Sequence, residues 1–136
     1  MSVNLPISID KRTGFTDEIV IIGPDYSAAA FKIDIRNQKG DTGTALIALV
    51  TADSGSQGIS ATYDAAYVFD NNGTEETAPA SIITIQIDEA TIEALDLGNP
   101  AREVVDLVYD LHITPSVGLK FVQCGGSFKI DPGSTI

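Results

Sequence analysis

Residues 104–114, Val-Val-Asp-Leu-Val-Tyr-Asp-Leu-His-Ile-Thr, constrain this chain more than any other stretch. Val105, Leu107, Tyr109, Leu111 and Ile113 share one parity, and Asp106, Asp110, His112 and Thr114 share the other. Such a period of two marks a strand buried on one face. Pro115-Ser-Val-Gly118 follows, a run of turn formers too short to hold a crossover helix. The apolar run from Leu119 to Ile130 must therefore return antiparallel, as the second arm of a hairpin. In that arm Leu119 and Phe121 have one parity and Phe128 and Ile130 the other, so an extra residue is expected between them. Gly125-Gly126 is the natural place for the bulge.

Upstream, the same alternation recurs. Val3, Leu5, Ile7 and Ile9 form an apolar row interrupted by Pro6, which confines the segment to a sheet edge or to a strand added onto a neighbour. Thr16 to Ile22 reads as a strand stopped by Gly23-Pro24-Asp25, and Phe31, Ile33 and Ile35 alternate with Lys32, Asp34 and Arg36. In Ala45 to Val50 both parities are apolar, so the strand is covered on both faces in the domain interior or turns one face to another subunit. Ile59 to Tyr63 and Ala66 to Phe69 suggest a broken strand or two short ones. Asp70 to Glu76 is a polar loop, and Ile83, Ile85 and Ile87 mark a further strand. One short helix is expected near 88–96, with Asp88 as its cap and Gly98-Asn99-Pro100 as its stop. Turn signals every ten or so residues and the lack of βα alternation predict an all-β antiparallel sandwich.

A chain of 136 residues suffices for one core. Its net charge of −11 disfavours nucleic acid and anionic lipid as partners. No apolar run reaches the length that spans a membrane, and no basic, apolar leader opens the chain. The single cysteine, Cys124, has no partner for an internal disulfide and reads as a packed small hydrophobe. His112, the single histidine, lies on the polar face of its strand with no nucleophile motif beside it, and is read as a surface or interface residue. Asp106 and Asp110 are about 13 Å apart at strand rise, too far for a glycosidase pair. Asp70, Asn72, Glu75 and Glu76 would offer oxygens to calcium, but the loop lacks EF-hand spacing and is read as a solvated turn. No catalytic residue, metal ligand or cofactor site is therefore expected, and the chain is read as not an enzyme.

Several segments of the second half together carry a resemblance. They are Gly58-Ile-Ser-Ala61, Ser81 to Asp88, Ala90 to Leu95, Val108 to Thr114, Gly118, and Gly126 to Thr135. They resemble small phage virion proteins encoded with tail and baseplate genes, similar to the amino-terminal immunoglobulin-like domain of baseplate upper proteins. The matching pattern is a strand "I-T-I-x-I", a short helix, a "Y-x-x-D-L-x" strand, a glycine turn and a closing "G-x-F-x-I" strand. Tyr26-Ser-Ala-Ala29 stands where the family has a charged-glycine opening, and Met1 to Pro24 has no counterpart.

The resemblance implies an immunoglobulin-like β-sandwich over 25–136 and a virion location. It also implies a non-enzymatic structural role in tail, baseplate or fibre attachment, with other virion proteins and further copies of the chain as partners. Residues 1–24 are then expected as an N-terminal strand or arm available to a neighbouring subunit. Val3, Leu5, Ile7, Ile9, Ile47 and Leu49 are the candidate interface residues. The alternative is a carbohydrate- or receptor-binding sandwich using Tyr63, Tyr67 and the 70–76 loop.

Overall fold

The computed structural model describes residues 3–10, 13–38, 43–94 and 105–131. Its strands, in chain order, are β1 (Val3–Asn4), β2 (Ile7–Asp10), β3 (Phe15–Ile22), β4 (Ala30–Arg36), β5 (Ile47–Val50), β6 (Gly58–Asn71), β7 (Thr74–Ile87), β8 (Val105–Thr114) and β9 (Phe121–Asp131). A helix, α1 (Glu89–Glu93), lies between β7 and β8. The protein is mostly β, in two sheets. One runs β1-β9-β8-β4-β5 with β2 also on β9, and the other runs β3-β7-β6. Both sheets contribute to a single core, with Ile33, Ile35, Leu111 and Ile113 from the first, and Ile59, Ile83, Ile85 and Ile87 from the second.

The alternation in 104–114 is realised in β8. Leu107, Tyr109, Leu111 and Ile113 are all buried, and β8 pairs antiparallel with β9. The extra residue is placed differently from the sequence expectation. Leu111 pairs with Cys124 and His112 with Val122, so Gln123 is the bulged residue. Gly125 and Gly126 continue the register and answer another need, the close approach of neighbouring backbone. A Cβ on Gly125 would strike the Asp110 carboxylate and lie 2.7 Å from the Tyr109 carbonyl oxygen. One on Gly126, whose φ is 150°, would lie 2.6 Å from Asn4 Oδ1. Leu119, expected in the second arm, lies ahead of β9 and is 89% exposed.

The N-terminal segment is built into the fold. β1 and β2 run parallel to β9 in one continuous register, Val3 against Cys124 and Ile7 against Phe128, with the break at Leu5-Pro6 where the proline lacks a donor. Residues 3–10 form a sheet edge, and β3 is a strand of the other sheet.

β6 and β7 are single strands of 14 residues each, joined at Asn72-Gly73. Both turn residues have positive φ, 53° and 88°, as a two-residue type I′ hairpin requires. The expected broken strand over 59–69 is continuous through a bulge between Asp64 and Tyr67. Pro79 faces Gly23, just past the end of β3, where no strand ladder asks a donor of it. The helix is shorter than 88–96. Asp88 stands at the N-cap without a side-chain cap bond, because its carboxylate accepts from Gln86 Nε2 at 3.1 Å. Leu95 and the Gly98-Asn99-Pro100 stop lie outside the described residues.

Among the described residues, Ser81 is the buried polar one. Its hydroxyl donates to the Pro24 carbonyl at 2.7 Å and accepts from the Tyr26 N–H at 2.8 Å, which pins the 23–27 connection onto β7. Removing it leaves both backbone groups without that partner. Ser81→Ala is therefore expected to cost about 1–3 kcal/mol in a urea melt. A loss within error would mean that water replaces the hydroxyl.

Candidate interaction surface

The residues singled out from sequence divide sharply by exposure. Ile7, Ile9, Ile47 and Leu49 are at most 5% exposed and belong to the core. Leu5 is partly buried against them. Its carbonyl accepts the Tyr109 hydroxyl at 2.5 Å, and its N–H donates to the Gly125 carbonyl at 2.8 Å. Val3 pairs with Cys124 through the backbone. The apolar side chains of this group that are described thus serve the chain's own packing. In β5 the faces alternate, so the interior is not on both sides. Ala48 and Val50 are exposed, Val50 at 59%.

Among the described residues, the reactive side chains are not assembled into a site. Cys124 is buried, with Sγ 4.0 Å from the Tyr109 hydroxyl, and burial raises its thiol pKa above the ordinary value. Burial likewise raises the Tyr109 phenol. A protonated, enclosed thiol is inert. Cys124 should react with an alkylating reagent only as fast as the protein unfolds, and labelling kinetics in rising denaturant check this. Labelling at the rate of a free thiol in buffer would contradict the burial.

His112 pairs with Lys32 on β4 and Val122 on β9, on the face of the sheet away from the core. On the same face Asp34 accepts from Arg36 at 3.2 Å and lies 3.7 Å from Lys32 Nζ. Asp106 has Lys129 at 4.0 Å, while Asp110 fills the space left by Gly125. Among the described residues no three His, Cys, Asp or Glu side chains gather as a metal would need. The 70–76 stretch is a hairpin tip rather than an open loop, with Asn71 Nδ2 donating to Glu76 Oε2 at 3.0 Å.

What the molecule does present is edges and an arm. Beyond the Asp64 bulge, β6 and the start of β7 have no core residue on either face and continue as a two-stranded ribbon. Tyr67 and Phe69 stack there at 6.5 Å with their planes 16° apart. The register puts Val20 opposite Ile82, Ile22 opposite Ala80, Ala78 opposite Tyr67 and Glu76 opposite Phe69. Val20, Ile22, Ile82, Ala78, Tyr67 and Phe69 share the outer face of the three-stranded sheet as an apolar stripe, with Val20 38% and Ile22 44% exposed, interrupted by the acidic Asp64 and Glu76. Sequence reasoning missed this stripe, because the bulge at 65–66 moves Tyr67 and Phe69 to the face opposite Tyr63. Among known proteins, no family model and no curated protein matches the chain.

Proposed function

We propose that this chain is a non-enzymatic structural component of a bacteriophage virion, a tail, baseplate or fibre-attachment protein with an immunoglobulin-like fold that acts through protein–protein assembly. Its partners are other virion structural proteins and further copies of itself. The strand order is the observation that carries the reading. β3-β7-β6 corresponds to strands B, E and D of an immunoglobulin-like sandwich, and β9-β8-β4-β5 to G, F, C and C′. The segments that resemble the phage proteins fall on these same strands: Ser81 to Asp88 on β7, Val108 to Thr114 on β8, and Gly126 onward on β9. The chain lacks the tryptophan and the disulfide of antibody domains, so the likeness rests on topology.

Open strand edges and a projecting ribbon suit assembly, as strand addition and burial of apolar stripes are common modes of protein–protein contact. Mass spectrometry of gradient-purified particles tests the proposal. The protein should be present in intact virions at a fixed copy number. Its presence in the infected lysate and absence from particles would remove the idea.

The stacked Tyr67 and Phe69 favour a second reading, a carbohydrate- or receptor-binding module, to which Tyr63 on the opposite face does not contribute. A glycan array decides it: a hit lost on Tyr67→Ala supports this reading, and no signal above background counts against it.

A further inference from the structure

In a B-E-D sheet, the edge of strand B is where the first strand of an immunoglobulin-like domain commonly pairs. Here the first strands lie wholly on β9, and β3 ends its sheet with no described neighbour on the other side. The direction of its backbone groups follows from one bond. The Gly23 N–H donates to the Pro79 carbonyl at 2.7 Å, so the odd-numbered residues of β3 point toward β7 and the even-numbered ones point outward. The Glu18 N–H, which points outward, is occupied by the Asp17 carboxylate at 2.9 Å. At the other end Pro24 has no N–H, and its carbonyl is taken by Ser81. Between these two stops lie Val20 and Ile22, both exposed, with their outward N–H and C=O groups unused among the described residues.

An edge of this kind is a template for another strand. Its limits define a self-complementary register. Two antiparallel copies centred on Ile21 place Val20 of each opposite Ile22 of the other, where they exchange hydrogen bonds, and Glu18 of each opposite Pro24 of the other. The residues without a free donor thus meet at the ends of the ladder. The aliphatic run from Ile19 to Ile22 contains no charge, so the acidic Asp17 and Glu18 stay at the margins.

We infer that β3 is a self-pairing edge, joining two copies of this chain antiparallel about Ile21 into one continuous sheet. This rests on the reading of the protein as an assembling component and names the surface and the partner. The contact is short, so the dimer is weak in dilute solution. Because each copy carries −11, added salt strengthens it by screening the repulsion.

The test is oxidative crosslinking of the full chain. Opposed residues outside the hydrogen-bonded pairs have Cα atoms about 4.5 Å apart, which suits a disulfide. Ile21→Cys should therefore form a covalent dimer roughly tenfold or more faster than Thr16→Cys, which lies on the same edge but out of register. Buried Cys124 stays out of the reaction.

Adding Val20→Pro, which removes an outward N–H and spares the ladder to β7, should return the rate to that of Thr16→Cys. Ile22→Asp supplies a second disruption should the proline variant melt early. Equal rates for Ile21→Cys and Thr16→Cys would overturn the proposal. So would a folded Val20→Pro variant that crosslinks undiminished, or crosslinking that falls as salt rises. If the protein is found in particles while Ile21→Cys stays monomeric, assembly stands and this edge does not. If Ile21→Cys crosslinks and the protein is absent from particles, the edge stands and the virion reading does not.

Discussion

Phe128→Ala is expected to destabilise the protein by about 3–5 kcal/mol, the usual cost of deleting a fully enclosed aromatic ring. For a domain of this size that lowers the melting temperature by roughly 10–20 °C. Phe128 is 2% exposed and meets Phe15 edge-on at 6.4 Å and Tyr109 at 6.2 Å. Those rings stand on β3 and β8, one in each sheet, while the Phe128 backbone pairs with Ile7 and Leu107. The ring therefore ties the N-terminal edge, the long hairpin and the second sheet together. Thermal and urea melts followed by circular dichroism check the value. A loss below about 1 kcal/mol would mean that the sheets do not close on this residue.

Gly125→Ala is the second large effect, and its direction runs against helix- or strand-propensity arguments, which favour alanine over glycine. The added methyl would meet the Asp110 carboxylate, which can swing away, and the Tyr109 carbonyl oxygen at 2.7 Å, which cannot without spreading β8 from β9. Overpacking of this sort costs roughly 1–3 kcal/mol, and more where backbone must move. Pairing the change with Asp110→Ala separates the two contributions. The double variant should recover only the carboxylate part, leaving most of the loss in place. Full recovery would show that the side chain alone forbids a Cβ there.

How much of this was legible before the structure depends on whether a segment has one buried face. β8 and β4 do, and their alternation gave the strand, its core face and the antiparallel return. Where both parities are apolar, as around Ala45 to Val50, the pattern cannot say which row faces inward. Ile47 and Leu49 went to the core and Val50 to the surface. Where neither parity is buried the signal vanishes. The outer half of the β6–β7 hairpin is exposed on both faces, so only its Asn72-Gly73 turn could have revealed it.

Pro6 correctly indicated an edge strand but carried no information about which sheet it would join. That choice depends on Gly126 of β9, which admits Asn4 and Leu5 to close range. The bulge was predictable from the parity change between Phe121 and Phe128, yet its position at Gln123 was not, because glycine was the only local cue and it served another purpose. The apolar stripe from Val20 to Phe69 is assembled from three strands through a bulge. It exists only in the register of the folded sheet.

β3 has one side bonded to β7 and one side open. Amide hydrogen exchange, resolved by residue at the lowest workable protein concentration, measures this directly. Slow exchange is expected at Ile19 and Ile21, fast exchange at Val20 and Ile22, and slowing of the fast pair as concentration or salt rises. Strong protection of Val20 and Ile22 in the dilute monomer would contradict an open edge, because the edge would then already be covered by the chain itself.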